Sequence, residues 1–175
     1  MADWANFYVI VGTSAAALIG MQFVVMTLIA NRGRRPPLDT LSAFGTPTMV
    51  HLGGALTVSA IMSAPWHSLA TAAALIVSFG AAGLAYGAIV FRRAQRQTYY
   101  RPVWQDWVWY VVLPGVAYAA ATIGTALLGH DARRAEFVIA AAALSLLLIG
   151  IHNAWDTVTH LVVPGDRAGG EDVEA

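Results

Sequence analysis

The sequence predicts an all-α integral membrane protein, a bundle of five transmembrane helices, and three observations carry that expectation. Of 175 residues, 58% are hydrophobic and only 11% are charged. A typical soluble domain is about 25% charged, so this chain has too few charges to wet a globular surface. The charges also leave long empty intervals: Asp3 to Arg32, Asp39 to Arg92, Asp106 to Asp131 and Glu136 to Asp156. A helix crossing the hydrocarbon core needs about 20 apolar residues. Within these intervals the apolar residues run on without strict alternation, which excludes barrel strands and leaves helices as the way to satisfy the backbone in lipid.

The first span is expected near 5–30. Asp3 stands where a signal peptide has basic residues, and the apolar stretch exceeds the usual 7–15 or so, so this segment is expected to be retained. The second interval is wide enough for two crossings. Ser63-Ala64-Pro65-Trp66-His67-Ser68 supplies turn chemistry that divides it into spans near 47–64 and 69–91. Thr46-Pro47 offers a capping hydroxyl followed by a first-turn proline. The fourth span, near 103–128, opens after Pro102 and contains Pro114, whose missing N–H predicts a kink. The fifth, near 136–163, is stopped by Pro164-Gly165. Residues 1–164 then make one transmembrane domain, and 165–175 an acidic, disordered tail.

Arginine placement predicts orientation. Arg32, Arg34 and Arg35 follow the first span, and Arg92, Arg93, Arg96 and Arg101 follow the third, whereas the second loop has only His67. By the positive-inside rule these Arg-rich loops are cytoplasmic, the N-terminus is outside and the C-terminus inside. The expected location is the cytoplasmic (inner) membrane. Trp4, Phe7, Tyr8 and Trp66 mark the outer interface, and Tyr99, Tyr100, Trp104, Trp107, Trp109 and Tyr110 an inner aromatic belt. Small residues at four-residue spacing, Gly12/Ala16/Gly20, Gly83/Gly87 and Gly115/Ala119, predict close helix contacts within one chain or between copies.

The charge balance excludes a nucleic-acid binder: ten Arg and no Lys face ten acidic residues. The absence of cysteine excludes disulfides, thiolate metal sites and a Cys nucleophile. No phosphate loop or nucleophile elbow is present, and the sequence leaves open whether the chain is an enzyme.

What needs explaining is the polar residues inside the spans, where an ionisable group is expensive and points to function by default. His152, Asp156 and His160 are spaced i, i+4, i+8 on the fifth span and share one helix face, each about 6 Å further along the axis. His51 in the second span, Gln22 in the first and Asp106 at the start of the fourth fall in the same cytoplasmic half. These six residues form the candidate ligand or proton site. A metal ion would take His51, His152 and Asp156, or Asp156 with His160 and His51. His51 and His152 could alternatively be axial ligands of a haem between two helices. The same groups suit proton or ion movement. Against these stands a structural role, with Asp156 accepting hydrogen bonds from His51 or His160 to pin the helices, as in an accessory or scaffold subunit. The expected partners are the bilayer and either further copies of the chain or a larger membrane protein.

The stretch Ala15-Ala16-Ala17-Leu18-Ile19-Gly20-Met21-Gln22-Phe23-Val24 resembles the first span of small, uncharacterised bacterial multi-span membrane proteins. Thr46-Pro47-Thr48-Met49-Val50-His51, with the later Ala64-Pro65-Trp66, is similar to their second. The resemblance implies an integral membrane protein and assigns no catalytic residue.

Overall fold

A computed structural model of the chain describes residues 4–31, 45–96 and 104–162, and all regular structure among them is helical. Five helices follow one another: α1 (Ala5–Asn31), α2 (Thr46–Ser63), α3 (Leu69–Arg96), α4 (Trp104–Gly129) and α5 (Ala132–Val162). Four of them, α1, α3, α4 and α5, are long and apolar enough to cross a membrane. The tail at 165–175, Pro102, Pro164 and the arginines at 32, 34, 35 and 101 lie outside the described residues.

Contacts fix an up-and-down arrangement. Gly12 of α1 packs on Ser59 of α2, so the start of α1 meets the end of α2. Leu52 of α2 closes over Gly150 of α5, and Leu146 of α5 reaches Gly54 of α2, an antiparallel register. Gly124 of α4 packs on Val138 and Ile139 near the start of α5, while Trp109 near the start of α4 meets His152 near its end. Gly83 of α3 lies against the Tyr118 ring, and Phe91 against Trp107. The end of α1, the start of α2, the end of α3, the start of α4 and the end of α5 therefore share one end of the bundle, here called the proximal end.

α5 is the most enclosed of the four spanning helices, with half of its most apolar window buried against 17% for α3. The core around it takes Leu52, Ala55 and Val58 from α2, Ala117 and Ala121 from α4, and Ile139, Ala143 and Leu146 from α5 itself. Large apolar side chains point outward instead, among them Ile10, Met21, Phe23, Val116 and Ile123. A soluble fold would hide them; a bilayer solvates them.

α2 differs from the expected second span. It falls short of the apolarity of the other four because its first turns hold Thr46, Pro47, Thr48 and His51. It tolerates them because α1 and α5 flank it, and Thr48, His51 and Ser59 are all buried there. Local punctuation also departs from expectation. Gly45, not Thr46, precedes the helix, and no side chain caps it, although Pro47 does occupy the first turn. α5 starts at Ala132 rather than 136, since the Asp131 carboxylate accepts the Arg134 backbone N–H at 3.1 Å, an N-cap geometry that nucleates the first turn.

Pro114 disturbs α4 without a simple kink. Residues Val108–Val112 form a π-helical turn, closed by the Leu113 N–H donating to Val108 O, five residues back. In a regular α-helix residue 114 would donate to Tyr110 O, and proline cannot. Widening the preceding turn is a known way for a helix to absorb such a break.

Candidate functional site

The π turn decides where two aromatic side chains point. Consecutive residues of an α-helix diverge by about 100°, and the wider turn narrows that angle. Adjacent Trp109 and Tyr110 both reach α5. Trp109 stacks on His152 with ring centroids 3.7 Å apart and planes at 15°. The Tyr110 hydroxyl donates to Asp156 Oδ2 at 3.0 Å. His152 and Asp156 are one turn apart on α5, as their spacing predicts, and each meets its own aromatic partner. The expected belt therefore divides: Trp104 is 76% exposed and suits an interface, whereas Trp109 and Tyr110 turn inward to polar groups.

His51 is 2% exposed on α2. Its Nδ1 stands 3.3 Å from the Tyr118 hydroxyl of α4, and its ring tilts against the Tyr118 ring. Tyr118 in turn packs on Phe79 of α3, so one tyrosine joins α2, α3 and α4. His51 Nε2 has no hydrogen-bond partner, nor does either amide atom of the fully buried Asn153. By the α2–α5 register, Leu52 against Gly150 and Gly54 against Leu146, Asn153 lies at the level of the first turns of α2, near Thr48.

The six residues singled out by sequence thus have different fates. His51, His152 and Asp156 each take a separate aromatic partner. Gln22 is buried on α1 with its Nε2 unpartnered. Asp106 sits in the first turn of α4. The His160 side chain lies outside the described residues. Among the described residues no group of three or more His, Asp and Glu side chains gathers closely enough to hold a metal ion. A haem between α2 and α5 meets a steric obstacle as well. An added Cβ on Gly150 would lie 2.5 Å from the Leu52 side chain and 3.3 Å from its backbone nitrogen, so these helices leave no slot for a porphyrin at that contact. Asp156 is pinned by Tyr110 of α4, which the sequence did not single out as its partner.

Sequence reasoning missed Tyr118 and Asn153. Asn153 was visible as an amide within the fifth span, on the face that carries Gly150 and Leu146. Tyr118 gave no signal: a tyrosine mid-helix is ordinary, and its partner is 67 residues away.

The class defined by this architecture is an all-helical protein with several helices able to cross a membrane. Comparison of the chain with family models, with curated proteins and with solved structures finds no match.

Proposed function

We propose that the chain is a five-helix, multi-pass inner-membrane protein that works as a non-catalytic accessory or scaffold subunit, its in-membrane polar residues serving as pins between helices. The supporting observation is the pairwise engagement of those residues: Trp109 with His152, Tyr110 with Asp156 and Tyr118 with His51. A catalytic or metal centre needs its groups free to converge on one point; here each of the three is engaged by an aromatic side chain of α4. In this reading α2 is the fifth crossing, sheltered by α1 and α5. By the positive-inside rule, the Arg-rich loops of the sequence support a cytoplasmic proximal end and an N-terminus outside.

The test is purification of the full chain from membranes in mild detergent. The expected material carries no stoichiometric metal, shows no Soret band and co-purifies with a larger membrane protein. One metal ion or one haem per chain would overturn the proposal.

A second reading, proton movement, is favoured by one feature: His51 Nε2 and the Asn153 amide are buried without partners, and such groups recur in membrane relays. Reconstituted vesicles distinguish the two. Proton flux above that of empty vesicles, lost in Asp156→Asn, would support the relay; flux at the empty-vesicle level supports the scaffold.

A further inference from the structure

A groove of about 260 Å³ lies between the second half of α1 and the first turn of α2, lined by Gln22, Phe23, Met26, Gly45, Thr46 and Met49. It borders a surface of large apolar side chains, with Met21 and Phe23 each 61% exposed and Val24 51% exposed. In a bilayer the medium next to that surface is lipid, and no bulk water is at hand to fill a recess at this depth. Most of the lining is apolar, and two methionines give it walls that adapt to a flexible chain.

Gln22 makes the recess more than an apolar crease. It is only 6% exposed, and its Nε2 has no hydrogen-bond partner. An amide N–H left unbonded in hydrocarbon is costly, so an occupant that brings an acceptor is preferred over a bare acyl chain. The terminal amide carries donors on one side and an acceptor on the other, and a half-turn about its last bond offers either to the groove. Gln22 shares the groove with Met49, about one turn or 5 Å inward from the start of α2. Thr46, at the start of α2, adds a second polar residue to the lining. The acceptors that a bilayer supplies just inside its polar boundary are the ester carbonyls of its lipids.

We propose that the groove between α1 and α2 seats a glycerophospholipid, with the Gln22 amide donating to an acyl ester carbonyl and the acyl chain lying along Phe23, Met26 and Met49. The lipid supplies the acceptor that the protein lacks at this point. It also bridges α1 and α2 at the proximal end.

The experiment uses the full chain, stripped of lipid in detergent and titrated with dioleoyl phosphatidylglycerol or its diether counterpart, which has no ester carbonyl. Thermal unfolding and native mass spectrometry read binding. The diester is expected to bind more tightly than the diether, by roughly 3-fold and at most about 18-fold, the average and the maximum measured for hydrogen bonds between membrane helices. Gln22→Leu should abolish that preference while leaving diether binding intact. Met49→Trp, which fills the groove from α2 and keeps Gln22, should weaken both lipids; it decides the matter should Gln22→Leu fail to fold. Equal binding of the two lipids to the unaltered protein, or binding indifferent to Met49→Trp, would overturn the proposal.

Discussion

Asp156 is an acid of α5 that a neighbouring helix engages directly. Its Oδ2 accepts the Tyr110 hydroxyl, and Thr159 one turn on donates to its backbone oxygen. Losing the tyrosine hydroxyl removes that donor from the carboxylate. Tyr110→Phe is therefore expected to destabilise the folded bundle by about 0.6 kcal/mol, the average measured for interhelical hydrogen bonds in a membrane protein, and by no more than about 1.7 kcal/mol, the largest; unfolding in mixed micelles reads this directly. Glycines make a second residue-scale comparison. At Gly150 an added Cβ would enter the Leu52 side chain, so Gly150→Ala should cost about 1–3 kcal/mol by overpacking. At Gly20 nothing lies within 4 Å, and Gly20→Ala should be neutral or stabilise by up to about 1 kcal/mol through helix propensity. The four-residue spacing in the sequence did not separate these cases. Gly12 and Gly83 do sit at close contacts, whereas Gly20, Gly87 and Gly115 face open space, because spacing marks a helix face without saying which neighbour it meets.

At the scale of the element, α4 carries most of the specificity. The π turn at Val108–Val112 aims two adjacent aromatic side chains at His152 and Asp156. Pro114 accounts for the turn, since it denies Tyr110 O its α-helical donor. Restoring that donor with Pro114→Ala is expected to let the turn relax to α-helix and rotate Trp109 or Tyr110 away from α5. The measurable consequence is loss of energetic coupling between positions 110 and 156, even if overall helicity is unchanged. The sequence announced a disturbance at Pro114 but not its form, as a kink and a widened turn are alternative answers to one missing N–H. The i, i+4 face of His152 and Asp156 was legible for a simpler reason: helical periodicity is local. Their partners were not, because partnership depends on how neighbouring helices are rotated. The start of α5 was misplaced by treating Asp131 only as a charge, when its carboxylate serves as the helix cap.

Over the whole molecule, five helices alternate in direction, and this much follows from where the charges are absent. The unequal apolarity of α2 was masked by counting charges alone, since Thr46, Pro47, Thr48 and His51 lower its hydropathy with no Asp, Glu, Lys or Arg among them. Its polar start is tenable because α1 and α5 cover it. With α2 also crossing, as proposed, the number of crossings is odd and the two termini lie on opposite sides of the membrane. Reporter fusions should then show the N-terminus outside and the C-terminus in the cytoplasm; both on one side would mean that α2 does not cross.

The central claim is that the polar residues within the spans act in pairs that hold helices together. A double-mutant cycle with Tyr110→Phe and Asp156→Ala, followed by reversible unfolding in mixed micelles, tests it most directly. Pairing predicts a coupling of about 0.6–1.7 kcal/mol between the two positions, with the double variant losing less stability than the sum of the single ones. Strict additivity would contradict it, leaving Asp156 to be explained by something other than its grip on α4.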